Sequence, residues 1–176
     1  MEIVSRSLEQ NPIIGKITFD SREFEEGDLF VAIAGLDTDG HQFIDRAIQS
    51  GAAAVVCQDV DKAMLSGVPL LQVSNSRRAL AQMADNFYGH PSLELSLVGV
   101  TGTNGKTTVT HLLHSICGAV QKRSEILGTL GSFRDGQYRS TGYTTPDAPD
   151  LQRLLAEAAD RGMEWVAMEV SSHALA

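Results

Sequence analysis

Residues 101–108 read TGTNGKTT, and residue types in that order can hold the phosphates of a nucleoside triphosphate. Phosphate oxygens need backbone N–H groups converging from a tight turn, and a cation that reaches over them. Gly102 and Gly105 permit the turn, because no side chain opposes positive φ or blocks approaching oxygens. Thr103 and Asn104 lie between them and complete the loop. Lys106 is spaced to reach the outer phosphates, Thr107 offers a hydroxyl to Mg²⁺, and Thr108 lies in the same zone. The general pattern has a glycine five residues ahead of Gly105, where this chain has Val100. The essential chemistry therefore rests in GTNGKT.

A second group of residues lies near the end of the chain. Glu169 closes the apolar run WVAMEV at 165–170. A carboxylate on such a run is costly unless paired, and Mg²⁺ bridging phosphate oxygens to a protein oxygen would pair it. Ser171, Ser172 and His173 follow, at the end of the run where sites of open α/β sheets collect. Capping or packing accounts for His173 equally well. Thr144 and Thr145 stand at a predicted helix start, where anion binding and helix capping compete for them.

These groups work only if strands and helices deliver them to one place. The apolar stretch 95–100 (LSLVGV) predicts a strand running into the loop. The loop then opens a helix with Leu112, Leu113, Ile116 and Val109 facing inward. Residues 128–143 are rich in Gly, Ser and Thr, and Arg134, Asp135, Gly136 and Gln137 mark a hairpin or surface loop. The next helix carries Leu151, Leu154, Leu155 and Ala158 on one face and closes at Gly162. Two caps compete for its start: Thr145 with Pro146 at the first helical position, or Asp147 with Asp150 three residues on. The run 165–170 is then a strand bringing Glu169 to its far end.

Ahead of the loop a separate strand–helix rhythm is legible. Runs 28–34, 52–57 and 68–73 predict strands, the last two covered on both faces. GLDTDG at 35–40 predicts a tight loop. Phe43, Ile44, Ala47 and Ile48 predict a helix stopped at Gly51. Leu80, Met83, Ala84 and Phe87 predict another, ending near Gly89 and Pro91. The fold class is α/β, with one unit over 1–91 and the start of a second over 92–176. Two parallel strands and two helices are too few to cover both faces of a sheet. The second unit is thus expected to be truncated, with its last strand lacking a neighbour on one side.

Composition bounds the rest. A chain of 176 residues, 43% hydrophobic, can bury a core. Its net charge of -8 argues against a general nucleic-acid surface. No run of about 18 apolar residues predicts a membrane span, and the N-terminus lacks the basic-then-apolar order of a secretory signal. Cys57 and Cys117 have no metal or redox spacing, which predicts buried free thiols in a reducing compartment. A soluble, cytoplasmic protein is expected.

Together these stretches resemble the ATP-dependent Mur ligases of peptidoglycan synthesis, and within them the tripeptide-synthetase (MurE) branch. The matching stretches are FDSREFEEGDLFVAIAG (19–35), DGHQFIDRAIQSGAAAVV (39–56), FYGHPS (87–92), VGVTGTNGKTT (98–108), YTTPD (143–147) and AMEVSSHAL (167–175). They cover almost the whole chain, in order. The phosphate loop alone also fits folylpolyglutamate synthases. SRE and GDLFVA ahead of it, with YTTPD and MEVSSHAL after it, single out the tripeptide synthetases.

The resemblance implies a UDP-substrate-binding domain over 1–91 and the first part of an ATP-binding central domain over 92–176. A C-terminal amino-acid-binding domain would then be absent. It implies that Ser21 contacts the uridine diphosphate, and that Thr144, Thr145 and Ser172 contact the muramoyl-dipeptide. Lys106 and the loop would hold ATP, with Thr107 and Glu169 on Mg²⁺. Relatives often carry a polar HQ-type pair after the first domain's glycine, where this chain has Leu36 and Asp37. The implied reaction adds meso-diaminopimelate or L-lysine to UDP-N-acetylmuramoyl-L-alanyl-D-glutamate through an acyl phosphate, in a monomeric enzyme. Two rivals are a non-catalytic UDP-sugar-binding module and another P-loop amide ligase such as a folylpolyglutamate synthase.

Overall fold

The computed structural model describes residues 3–7, 11–35, 38–59, 68–140 and 144–172. The chain forms two compact units, Met1–Ala84 and Asp85–Ala176.

In the first unit the strands are β1 (Ile3–Ser7), β2 (Ile17–Thr18), β3 (Leu29–Val31), β4 (Ala54–Cys57) and β5 (Leu70–Val73). They form one sheet in the order β1-β5-β4-β3-β2, parallel throughout except for β1, which pairs antiparallel with β5. The side-chain period of two sends Phe30, Val55 and Cys57 to α1 (Ile44–Gln49), where they meet Ile44 and Ala47. Leu29, Val31, Ala54 and Val56 go to the other face and pack on Ala79 and Leu80 of α2 (Ser76–Phe87). Every residue of β4 is buried, which is why its sequence is apolar without alternation.

The strand expected over 28–34 is shorter. Asp28 is buried, and its carboxylate accepts the Glu25 N–H at 2.9 Å, so it serves a turn ahead of the strand. Past Val31 the chain bends, with Gly40 N–H donating to the Ile33 carbonyl at 2.8 Å. Leu36 and Asp37 lie outside the described residues. Buried His41 ties this bend to the end of β4. Asp39 accepts from its Nδ1 at 2.6 Å, and its Nε2 accepts the Gln58 N–H at 3.1 Å, which requires the neutral ring protonated on Nδ1. Burial pushes the Cys57 thiol up to about 11, so it is an inert core group. Cys117 is only half-buried, contrary to expectation.

The second unit contains β6 (Ser96–Thr101), α3 (Lys106–Ala119), β7 (Ser124–Gly128), β8 (Gly131–Arg134), β9 (Gln137–Arg139), α4 (Ala148–Asp160) and β10 (Trp165–Val170). Its sheet order is β6-β10-β7-β8-β9. Strand β10 pairs in parallel with both β6 and β7, while β7-β8 and β8-β9 are antiparallel. The last strand therefore has neighbours on both sides, and the expectation that one side is bare does not hold. What the sequence concealed was β7. Its Glu125 is buried against Arg161, 2.7 Å away, with the Ser132 hydroxyl also donating to it. A buried acid kept by a cation and a hydroxyl interrupts the apolar signal without breaking the strand.

The start of α4 is decided for Asp147, whose side chain accepts the Asp150 N–H at 3.2 Å. Its apolar face, with Leu155 and Ala158 buried, covers Leu127, Val166 and Met168 of the sheet. Helix α3 departs from its expected orientation. Val109, Leu112 and Ile116 are exposed, at 42%, 57% and 60%, whereas Thr110 is fully buried.

Candidate functional site

Strand β6 delivers the chain into the loop, and the two loop glycines adopt the backbone that makes the turn. Gly102 has φ 146° and Gly105 has φ 82°, regions that side chains oppose. Gly105 is the N-cap residue of α3 and supplies no side-chain cap. The first-turn N–H groups are thus left for another acceptor, at the positive end of the helix dipole. Lys106 folds back over the loop, its Nζ donating to the Gly102 carbonyl at 2.8 Å. An ammonium resting on a loop carbonyl sits where it can transfer to a phosphate oxygen without rearranging the backbone. Thr103, Asn104 and Thr108 are exposed beside it.

Thr107 and Glu169 meet across the sheet end: the Thr107 hydroxyl donates to Glu169 Oε1 at 2.9 Å. Glu169 is 2% exposed and forms no ion pair with any described residue. Such a carboxylate is costly without a cation. Among the described residues no group of three or more His, Cys, Asp or Glu is arranged to hold a metal. One carboxylate beside a hydroxyl fits Mg²⁺, a hard ion that takes its remaining ligands from phosphate and water.

The same contacts explain α3. Thr107 must face the sheet to reach Glu169, so residues three to four positions on, Thr110 and His111, face it too. Thr110 donates to the Thr107 carbonyl at 2.9 Å. Further along the same side, His114 Nδ1 meets the Ser124 hydroxyl at 2.8 Å, and His111 Nε2 meets the Tyr138 hydroxyl at 2.5 Å. Phe133 packs between the two imidazoles. The helix register follows the site, and the apolar stripe is turned outward.

Thr144 and Thr145 lie at the same sheet end. Thr145 Oγ1 donates to the Glu169 carbonyl at 3.1 Å and accepts the Ser171 N–H at 3.0 Å, bracing the end of β10. The Thr144 hydroxyl is 3.3 Å from that of Thr129. Ser172 is exposed just beyond the strand. His173 and Tyr143 lie outside the described residues.

Ser21 belongs to the first unit, half-buried in the turn after β2. That turn is pinned by Asp20, which accepts the Arg22 N–H and its guanidinium, each at 2.9 Å from Oδ1. The Arg22 side chain beside it lowers the Asp20 pKa.

Two site residues escaped sequence reasoning. The Thr129 hydroxyl donates to Glu169 Oε2 at 2.9 Å. Gly128 faces the same carboxylate, and a Cβ there would overlap it. The available signal was a Gly-Thr pair directly after Ile126 and Leu127, a short apolar run ending at the same sheet edge as the phosphate loop.

The chain is similar to known proteins over most of its length. Residues 13–88 match the Mur ligase family, catalytic domain, and residues 100–176 match the Mur ligase middle domain. The chain is 43% identical over 160 residues to the UDP-N-acetylmuramoyl-L-alanyl-D-glutamate–2,6-diaminopimelate ligase of Bacteroides thetaiotaomicron, covering 91% of this chain and 33% of that protein. A solved structure of a ligase of the same description is similar with a TM-score of 0.77 at 27% identity, covering 92% of this chain and 33% of the other. The MurF ligase from Thermotoga maritima, in complex with ADP, is similar with a TM-score of 0.59 at 27% identity, covering 89% and 32%. The chain spans about a third of the length of these relatives. The two matched segments place the chain in the Mur ligase family, and its identity with the diaminopimelate ligases places it in the MurE-type branch.

Proposed function

We propose that the protein carrying this chain uses ATP to join an amino acid to UDP-N-acetylmuramoyl-L-alanyl-D-glutamate, a step of peptidoglycan precursor synthesis in the cytoplasm. The amino acid is 2,6-diaminopimelate or L-lysine. The observation that carries this reading is the Thr107–Glu169 hydrogen bond, which joins the phosphate loop to a buried carboxylate that pairs with no cation among the described residues. No helix among the described residues is long and apolar enough to cross a membrane.

The chemistry is acyl activation. The glutamate side-chain carboxylate attacks the γ-phosphorus of ATP, releasing ADP and forming an acyl phosphate. The amine of the incoming amino acid attacks that carbonyl carbon, loses a proton, and inorganic phosphate leaves. Lys106 and the amides of Gly102–Thr108 hold the phosphates in line, and Lys106 meets charge spreading over the transferring oxygens. Thr107 and Glu169 would hold Mg²⁺, which when bound neutralises phosphate charge. Thr144, Thr145 and Ser172 take the muramoyl-dipeptide, and Ser21 takes the uridine diphosphate. Residues 1–91 thus serve the UDP substrate and 92–176 the ATP side, in a monomer.

Phosphate release by the intact protein tests the reading. Release is expected only when the UDP-muramoyl-dipeptide and the amino acid are both present. Release with a folate substrate instead would transfer the chain to the folylpolyglutamate class. A second reading concerns these 176 residues alone, which span about a third of their relatives. They bind a UDP-sugar or phosphate and do not ligate. Calorimetry with the UDP substrate measures this, and ligation by the isolated chain would refute it.

A further inference from the structure

Thr129 has no part in the chemistry above, yet it contacts two groups that do. It lies in the turn between β7 and β8. Its hydroxyl is 2.9 Å from Glu169 Oε2 and 3.3 Å from the Thr144 hydroxyl. A hydroxyl has one proton to give, and an ionised carboxylate only accepts. The shorter contact takes the Thr129 proton, so Thr144 donates to Thr129. With Thr107 on Oε1, the order is Thr144 to Thr129 to Glu169, met from the other side by Thr107.

Gly128 lies against the same carboxylate. A Cβ there would overlap the Glu169 carboxylate, so backbone and carboxylate are already in close contact. Oε2 accepts from Thr129, and Oε1 accepts from Thr107 of the phosphate loop.

We propose that Thr129 is a positioning residue that presents a single oxygen of Glu169 to the cation and couples that cation to the acceptor bound at Thr144. The proposal rests on the ligase reading given above. An acceptor group that takes the Thr144 proton deprives Thr129 of its donor and changes the hold on Oε2. Linkage makes the effect reciprocal: the acceptor alters cation affinity, and the cation alters acceptor affinity by the same factor.

The test uses the intact protein with Thr129→Val, which keeps the shape and loses the hydroxyl, Thr129→Ser, which keeps it, and Thr129→Ala as a second hydroxyl-free variant. Binding of a non-hydrolysable ATP analogue is titrated against Mg²⁺ by calorimetry, with and without UDP-muramoyl-dipeptide. Loss of a group that orients a metal ligand typically weakens the metal about 10-fold or more. The Mg²⁺ requirement of Thr129→Val and Thr129→Ala should rise by about that factor, with Thr129→Ser within about twofold of wild type. The shift in Mg²⁺ affinity caused by the dipeptide should vanish in both hydroxyl-free variants. Wild-type metal binding in Thr129→Val, or equal losses in all three variants, overturns the proposal alone. Analogue binding indifferent to Mg²⁺ in the wild type overturns the ligase reading and this proposal with it.

Discussion

The Thr107 hydroxyl and Glu169 Oε1 are 2.9 Å apart although 62 residues separate them in the chain. One bond joins the start of α3 to the end of β10 and turns that face of α3 to the sheet. Leu112 and Ile116 lie on the opposite side of the helix from Thr107 and are exposed.

On the proposed reading Lys106 acts on phosphate and not on the core; its Nζ donates to the Gly102 carbonyl at the loop surface. Lys106→Ala should reduce amino-acid-dependent phosphate release by at least about 100-fold, the scale of losing one transition-state charge contact. Thermal unfolding should be unchanged. Turnover at the wild-type rate would remove the lysine from the mechanism.

Glu169→Gln should separate function from stability. The amide keeps the shape and accepts one threonine hydroxyl on its oxygen, its NH2 turns to donate to the other, and the buried charge disappears. The melting temperature in Mg²⁺-free buffer should hold or rise, and Mg²⁺-dependent turnover should be lost. A variant that melts lower and still turns over would contradict both halves.

Gly128→Ala places a methyl group against the Glu169 carboxylate, between two strands that cannot separate freely. Turnover should fall more than tenfold, with a loss of about 1–3 kcal/mol in urea unfolding from overpacking. Normal Mg²⁺ dependence in this variant would show that the close fit is unimportant.

His114 is half-buried beside Phe133, and burial first, then the neighbouring His111 charge, lowers its pKa from 6.5. The folded state therefore disfavours the protonated ring. The sign follows: its contribution to stability is complete above about pH 6.5 and is lost as pH falls through the lowered folded value. Urea midpoints measured across that range should decline with acid, and His114→Gln should flatten the decline. An identical pH slope in the variant would assign the effect elsewhere.

The exposure pattern of α3 makes a contrast within the second unit. In the 176-residue chain, Ile116→Ser should change unfolding free energy by less than about 0.5 kcal/mol, since Ile116 is 60% exposed. Leu155→Ala should cost about 2–5 kcal/mol, since Leu155 is 1% exposed in the α4 core. Similar costs for both would mean that α3 packs by its apolar stripe after all.

The legible parts were those in which a local pattern has only one physical outcome. Unalternating apolar runs such as 54–57 belong to strands covered on both faces, and α1, α2 and α4 announce themselves by helical spacing. The phosphate loop was readable because glycine, lysine and threonine at that spacing follow from backbone geometry and charge. Strand β7 was not readable, because its buried Glu125 is kept by the Ser132 hydroxyl and by Arg161, 36 residues away. Nor was Thr129, since its significance lies entirely in a contact with Glu169, 40 residues on.

By itself, then, the sequence determined the α/β class, the loop at 101–108 and the carboxylate at 169, because each is dictated by residues near one another in the chain. Tertiary structure alone decided that β10 lies between β6 and β7, that α3 turns its hydroxyl side to the sheet, and that Thr107 and Thr129 hold Glu169 from two sides. Both threonines lie far from Glu169 along the chain, so only the folded sheet brings their hydroxyls to its carboxylate.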